Sequence, residues 1–180
     1  MRIRLLAAVV LAAACGSDSS TTPTPVSKIV NFTATLTPAG EVGANLAGNP
    51  TGSGTFTATL DTSTNVFTYT TTYSGLTSTI NNGHIHGPFL VGQTSNTAGT
   101  ILNFNPASTS AAPGAVFGGF GTGTSGTATG TITLNAATQI TTTVNGDSLK
   151  KLLLAGDTYV NIHTASNPGG EIRGQVSIAK

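Results

Sequence analysis

The sequence predicts an all-β domain, an immunoglobulin-like antiparallel β-sandwich or barrel with one short helix. Its 180 residues include 34 threonines and 23 glycines, which are poor helix formers, and Thr suits the pleated surface of a strand. Hydrophobic residues make up 38%, enough to build a core. Only 7% are charged and the basic residues are scattered, so no nucleic-acid partner is expected.

Alternation of apolar and polar residues marks the strands in turn, with Gly, Asn and Pro clusters between them. The first run places Val30, Phe32, Ala34 and Leu36 on one face. Later runs do the same with Phe56, Ala58, Leu60; Phe67, Tyr69, Thr71, Tyr73; Ala128, Ile132, Leu134; Ile140, Val144; Ile172, Val176 and Ile178. About seven or eight such strands are typical of a two-sheet sandwich or a closed barrel.

One segment, DSLKKLLLAG at residues 147–156, has a helical pattern instead. Asp147 is suited to capping its start and Gly156 to ending it. The sequence therefore predicts a single short helix before the last strands.

The N-terminus predicts an export signal. Arg2 and Arg4 precede an apolar run at residues 5–14 that is too short to span a bilayer but suits the core of a signal peptide. Small residues stand directly before Cys15, the only cysteine, and this region resembles a bacterial lipoprotein signal in which Cys15 becomes the lipidated first residue. The alternative is an ordinary secretory signal with a chance cysteine.

This interpretation divides the chain into three parts. Residues 1–14 are the lipoprotein signal peptide, residues 15–27 the lipidated cysteine with a flexible Ser/Thr/Pro-rich tether, and residues 28–180 the folded domain. The predicted partner is membrane lipid, through acylated Cys15. The predicted location is the bacterial cell envelope, facing out of the cytoplasm, and the outer membrane if the host has one, because Gly16 rather than Asp follows the cysteine.

Two motifs carry a family resemblance. GHIHGP occupies residues 83–88, and YVNIHT at residues 159–164 is followed by NPGGEIRGQ at residues 167–175. Together with LTPAGEV at residues 36–42, they closely resemble the CHRD domain, which is named for chordin and is widespread in secreted bacterial proteins. The resemblance covers about residues 29–180 and implies no defined biochemical activity.

A second resemblance concerns the histidines. Copper/zinc superoxide dismutase is an immunoglobulin-like barrel with a His-x-His strand, a later lone copper-binding His and an Arg near the C-terminus that helps guide the anion. His84, His86, His163 and Arg173 occur here in that order. The resemblance implies a copper-like site alone, because the zinc-loop histidines and the disulfide of those enzymes are missing.

Strand parity points to the same histidines. His84 and His86 are two residues apart on a predicted strand, so their side chains leave the same face. In residues 159–163 the apolar side chains face the core, which puts His163 on the outward face. Three imidazoles suit copper or zinc and leave one position open, so we predict a metal site of His84, His86 and His163. The alternative is that these histidines only donate hydrogen bonds to backbone carbonyls.

Glu171 and Arg173 are also two residues apart and are predicted to face the same way. A structural ion pair between them is expected, with anion binding by Arg173 as the alternative. No catalytic residue is assigned, because the sequence supports neither a Ser-His-Asp set nor a carboxylate pair.

Two classes of function remain open. In the first, the protein is a membrane-anchored module that binds a protein, a glycan or a metal ion. In the second, it is a copper-dependent oxidoreductase similar to superoxide dismutase. The missing zinc ligands and disulfide favour the first, a binding module rather than an enzyme.

Overall fold

The computed structural model describes residues 28–43, 45–93, 98–105 and 116–180. The predicted signal peptide, Cys15 and the tether lie outside these residues. The described strands, in chain order, are β1 (Ile29–Leu36), β2 (Ser53–Asp61), β3 (Val66–Ser74), β4 (Ile80–His86), β5 (Thr100–Asn103), β6 (Val116–Gly118), β7 (Gly126–Thr133), β8 (Tyr159–Thr164), β9 (Ile172–Gln175) and β10 (Ser177–Ile178). One 3-10 turn (Pro38–Gly40) follows β1, and one helix, α1 (Gly146–Ala155), precedes β8.

The strands form two sheets in which neighbours run antiparallel. One sheet has six strands in the order β10-β1-β2-β3-β7-β6, and the other has four in the order β5-β4-β8-β9. The predicted antiparallel sandwich with one short helix is therefore confirmed. Within the described ranges, the two sheets do not close into a barrel.

The core lies between the two sheets, and the period of two places its residues there. In β1, Phe32, Ala34 and Leu36 are buried, while the threonines between them are exposed. Tyr69 of the six-stranded sheet stacks on Phe104, which follows β5, with 4.7 Å between the ring centroids. Burying one large apolar side chain contributes about 1.5–3 kcal/mol, so this alternation largely determines which face of each strand is buried.

The predicted strand containing Ile140 and Val144 is wrong. The chain reverses between these residues, because the amides of Ile140 and Thr141 both donate to the Val144 carbonyl at 2.9 Å. Only an isolated bridge between Gln139 and Asn145 remains. Ile140 is nevertheless buried, so the two apolar residues hold a turn against the core rather than a strand.

The predicted helix is confirmed, but its predicted cap is wrong. The Asn145 side chain accepts a hydrogen bond from the Ser148 amide at 3.0 Å and caps the N-terminus of α1. Asp147 lies inside the first turn, where it pairs with Lys150 at 2.9 Å. Gly156 ends the helix in the left-handed conformation (φ 78°), as predicted. In the described part of the chain no helix has the length and apolar character needed to span a bilayer.

Candidate metal centre

The structure brings the three predicted ligands together on the four-stranded sheet. β4 and β8 are neighbours, and their register pairs His84 with Asn161 and Asn82 with His163. The ring centroid of His84 lies 5.1 Å from that of His86 and 4.8 Å from that of His163. One ring nitrogen from each histidine lies within 4.8 Å of the others.

The histidines leave the face opposite the core, as predicted, but this face is covered. His86 and His163 are each only 9% exposed. The loop that follows β4 places Phe89 over the face, and the loop between β8 and β9 places Pro168 against His163. The cluster is therefore shielded by loops that the alternation within the strands does not predict.

Backbone carbonyls determine which nitrogen of two histidines carries the proton. The Nδ1 atoms of His86 and His163 lie 3.0 Å from the Ala98 carbonyl and 2.9 Å from the Pro168 carbonyl. A carbonyl only accepts, so both Nδ1 atoms donate and both Nε2 atoms carry a lone pair that can accept a hydrogen bond or bind a metal. His84 Nδ1 lies 3.0 Å from His163 Nε2, to which it donates. The predicted alternative, hydrogen bonding to carbonyls, therefore holds for two of the histidines and does not prevent their Nε2 atoms from binding a metal.

The cluster is uncharged at neutral pH. Burial lowers the pKa of His84 to about 3, with the neighbouring imidazoles of His163 and His86 adding to the effect. Burial also lowers the pKa of His86 to about 4 and lowers that of His163. Since only neutral imidazole binds a metal, the three rings need not lose a proton to do so.

The donor set fits a copper or zinc ion. His86 Nε2 is buried without any hydrogen-bond partner, and a metal ion would give it one. Zinc binds imidazole nitrogens at about 2.0–2.1 Å, which places two ligands of a tetrahedral site about 3.3 Å apart. The 3.0 Å pair of His84 and His163 would therefore separate slightly, and the wider spacings, up to 4.8 Å, would shorten. The hydrogen bond between His84 and His163 would be replaced, with the His84 proton moving to Nε2.

Arg173 lies close to the cluster, beyond an aromatic ring. Its guanidinium carbon is 3.4 Å from the ring centroid of Tyr159 and 4.2 Å from that of Phe89. The His86 ring stacks on the same Tyr159 at 4.8 Å. Because β8 lies between β4 and β9, His86 and Arg173 approach Tyr159 from opposite sides. Arg173 is thus a fixed positive charge beside the histidines, and its Nη1 is buried without a hydrogen-bond partner.

The predicted ion pair between Glu171 and Arg173 is wrong. The buried Glu171 carboxylate accepts hydrogen bonds from the amide and hydroxyl of Thr77, both at 2.7 Å, and from Thr164 at 2.7 Å and Asn167 at 3.1 Å. Residues that are two positions apart share a face only when both belong to the same strand. Glu171 precedes the first residue of β9, so this rule does not apply to it. The preceding loop directs its carboxylate away from Arg173.

Glu41 is a polar residue near the site for which the sequence predicts no role. Burial raises its pKa to about 7, against the opposing effect of Arg173. A Cβ on Gly170 would lie 2.6 Å from Glu41 Oε1 and 2.5 Å from Asn161 Nδ2, so both side chains meet over that glycine. Glu41 Oε1 and Asn161 Oδ1 are buried without hydrogen-bond partners. Two features of the sequence could have drawn attention to Glu41. It is one of only two glutamates in the chain, and it lies in the LTPAGEV motif.

The fold and the site define an antiparallel β-sandwich protein with a three-histidine cluster on a loop-covered sheet face. A family model described as the CHRD domain matches residues 32–176, which include both histidine motifs. The chain therefore belongs to the CHRD domain family. Searches of curated proteins and of solved structures gave no match.

Proposed function

We propose that this protein is a membrane-anchored extracytoplasmic binding module whose CHRD domain holds one copper or zinc ion. The observation that supports the metal is the cluster of three neutral imidazoles, with one nitrogen of each within 4.8 Å of the others. The ligand atoms would be His84 Nδ1, His86 Nε2 and His163 Nε2. The carbonyls of Ala98 and Pro168 would orient two of the rings, as outer-shell partners do in metal sites.

Three histidine ligands leave a position on the ion for an exogenous group. When bound, copper or zinc would supply a Lewis-acidic centre at that position. Arg173, held between Tyr159 and Phe89, adds a positive charge nearby that favours an anion over a cation. The second predicted role of Arg173, attraction of a small anion, is thus part of the proposal.

Isothermal titration calorimetry of the tag-free protein with Zn²⁺ or Cu²⁺ at neutral pH tests the metal site. We expect one ion per chain. The His86→Ala variant is expected to bind at least about 100-fold more weakly, because loss of even an outer-shell partner typically costs about 10–100-fold. Asp147→Asn, which removes a carboxylate on α1, is the matched control and should bind like the wild type.

Weak uptake at several sites, unchanged by His86→Ala, would contradict a three-histidine centre. Thermal melting of each variant shows whether the fold is retained. A superoxide-removal assay of copper-loaded protein then distinguishes a binding module from an oxidoreductase. We expect no activity, because the chain has three histidines and one cysteine and so lacks both a second metal's histidines and a disulfide.

The anchoring part of the proposal rests on the N-terminal sequence alone. Acylated Cys15 would hold the domain at the outer side of a bacterial membrane, with residues 16–27 as a tether. Growth with a labelled fatty acid should label the wild type and the Ser17→Ala control but not Cys15→Ala. An unlabelled wild-type protein, or a Cys15→Ala variant that still partitions with membranes, would contradict anchoring at this residue.

A further inference from the structure

The large apolar side chains that remain exposed in the described part of the chain lie at one end of the sandwich. In the six-stranded sheet this end holds the start of β1 and the end of β2, which pair at Ile29 and Asp61. In the four-stranded sheet it holds the end of β4 and the start of β8, which pair at His86 and Tyr159. The two sheets share this end because β9, whose last residue pairs with the start of β8, leads into β10, which runs antiparallel to β1 toward its start. We call it the tether end, since the chain enters β1 here from residues 16–27.

Neighbouring segments present the exposed apolar side chains. β10 pairs with β1, and α1 contacts β10. The loop after β4 reaches the last turn of α1, where the Phe89 amide donates to the Asp157 carbonyl at 2.9 Å. The exposed apolar residues on these segments are Ile29, Leu90, Val91, Leu154 and Ile178. They therefore lie along one band of adjoining segments rather than at scattered points of the surface.

The loop after β4 places two of these residues at its tip. The Gln93 amide donates to the Leu90 carbonyl at 3.1 Å, and the Leu90 amide donates to the Gln93 side chain at 2.7 Å. Gly92 takes the left-handed conformation (φ 88°) that closes the turn. Val91 is 81% exposed at this closed tip. Holding apolar side chains out of the core in a fixed turn is unfavourable in water, which points to an apolar or interfacial environment for the tip.

Lysines dominate the exposed charge of the tether end. The exposed charged residues there are Lys28, Lys151 and Lys180. The acidic residues at this end, Asp61, Asp147 and Asp157, are each partly buried. Asp147 is also paired with Lys150 at 2.9 Å. The surface that surrounds the apolar band is therefore complementary to an anionic partner.

The opposite end of the sandwich has neither feature. Its described loops contain no lysine, no arginine and no exposed large apolar side chain; these loops are residues 37–43, 45–52, 75–79, 119–125 and 165–170. The low charge of the whole chain does not explain why lysines and exposed apolar residues share one end. The asymmetry instead follows the point at which the chain enters the domain.

We propose that the tether end of the folded domain docks on an anionic lipid bilayer, with Leu90 and Val91 entering the headgroup region. This proposal rests on the membrane anchoring proposed above and adds a fixed orientation to it. Residues 16–27 span at most about 43 Å when fully extended, so acylated Cys15 keeps the tether end near the bilayer and raises its local concentration there. The apolar band then contacts the boundary between headgroups and acyl chains, while the lysines contact anionic headgroups.

Docking of this kind is weak without the acyl chain, because a single weak membrane signal gives only marginal, reversible binding. The Cys15→Ala variant should therefore still be released from membranes. What docking adds is orientation, since the opposite end of the sandwich then points away from the bilayer.

Tryptophan fluorescence on vesicles tests the orientation, because the chain has no tryptophan and only one cysteine. The mature chain, from Cys15 onward, is coupled through the Cys15 thiol to a maleimide-bearing lipid. The vesicles contain phosphatidylglycerol and brominated phosphatidylcholine, which quenches tryptophan inside the bilayer. Val91→Trp reports on the tether end. Thr51→Trp is the matched control, because Thr51 is exposed before β2 at the opposite end and the substitution introduces the same side chain.

The emission of Val91→Trp should shift to shorter wavelength and be quenched by the brominated lipid, while that of Thr51→Trp should change little. Leu154→Asp, added to Val91→Trp, should reduce the quenching because it places a charge in the apolar band on α1. Vesicles without phosphatidylglycerol should also give less quenching, since the lysines then lose their anionic partner. Melting curves establish that each variant is folded.

Equal quenching of the two tryptophans overturns the proposal, and so does an unquenched Val91→Trp or quenching that Leu154→Asp leaves unchanged. A shift of Val91→Trp that grows with protein concentration in the absence of vesicles also overturns it, and assigns the band to contact between two copies of the chain. Chemical coupling replaces the natural acyl chain, so these outcomes do not depend on acylation in cells. Fatty-acid labelling of Cys15 tests anchoring separately, and failure of docking leaves the metal site untouched.

Discussion

Replacement of Glu171 by alanine is expected to lower the free energy of unfolding by about 3 kcal/mol or more. The carboxylate is fully buried and accepts four hydrogen bonds from Thr77, Thr164 and Asn167. These groups join the segment before β4 to the end of β8 and to the loop before β9. Without the acceptor, an amide, two hydroxyls and a side-chain amide would lose a buried partner, and each such loss costs about 1–3 kcal/mol unless water enters.

Urea unfolding at neutral pH measures this effect, provided that the dependence on urea is unchanged between variants. Glu171→Gln keeps the shape but not the charge and should lose less than alanine does. Asp147→Asn, which breaks only the surface pair with Lys150, should change stability by less than about 1 kcal/mol. A Glu171→Ala protein as stable as Asp147→Asn would show that the buried hydrogen bonds contribute nothing.

The pH dependence of the same comparison has a definite sign. Burial by itself raises the pKa of Glu171, but the hydrogen bonds from Thr77, Thr164 and Asn167 outweigh it and hold the pKa below its ordinary value of 4.5. A carboxyl group with a lowered pKa in the folded state stabilises the fold at pH values above its ordinary pKa. This stabilisation is lost as the pH falls through the folded-state pKa. The advantage of wild type over Glu171→Gln should therefore shrink in acid.

Gly174→Ala is expected to destabilise the fold by about 3 kcal/mol, with a comparable loss in both urea and thermal unfolding. A Cβ at this position would overlap the Thr35 carbonyl oxygen and lie 2.8 Å from its carbon. β9 and β1 belong to different sheets and meet here, where the backbones of Arg173 and Thr37 exchange hydrogen bonds at 3.0 and 3.1 Å. Because the obstacle is backbone, no side-chain rotation relieves the overlap.

Gly169 provides a matched control in the same terminal motif. A Cβ there would meet nothing within 4 Å, and its backbone is not in the left-handed region. Gly169→Ala should therefore change stability by no more than about 0.5 kcal/mol. Equal stability of the two variants would show that the sheets separate at Gly174 without cost.

Much of the fold was predictable because it depends on local patterns. The alternation in β1 to β3 and β7 identified buried residues such as Phe32 and Tyr69, and Gly156 marked the end of the helix. Two errors arose where local signals were ambiguous. Ile140 and Val144 have strand-like spacing but form a turn. Asn145 and Asp147, two residues apart, are both residue types that cap helices, and only Asn145 has the required position.

The sequence by itself determined most of the strands and the faces of β4 and β8 that carry the histidines, since both follow from the period of two. Tertiary structure alone decided what meets on that face. Strand order made Tyr159 the neighbour of both His86 and Arg173, and a loop separated Glu171 from Arg173. Glu41 reaches Gly170 and Asn161 from a turn more than a hundred residues earlier in the chain. Such contacts depend on how loops fold back over a sheet, and no periodicity along the chain encodes that packing.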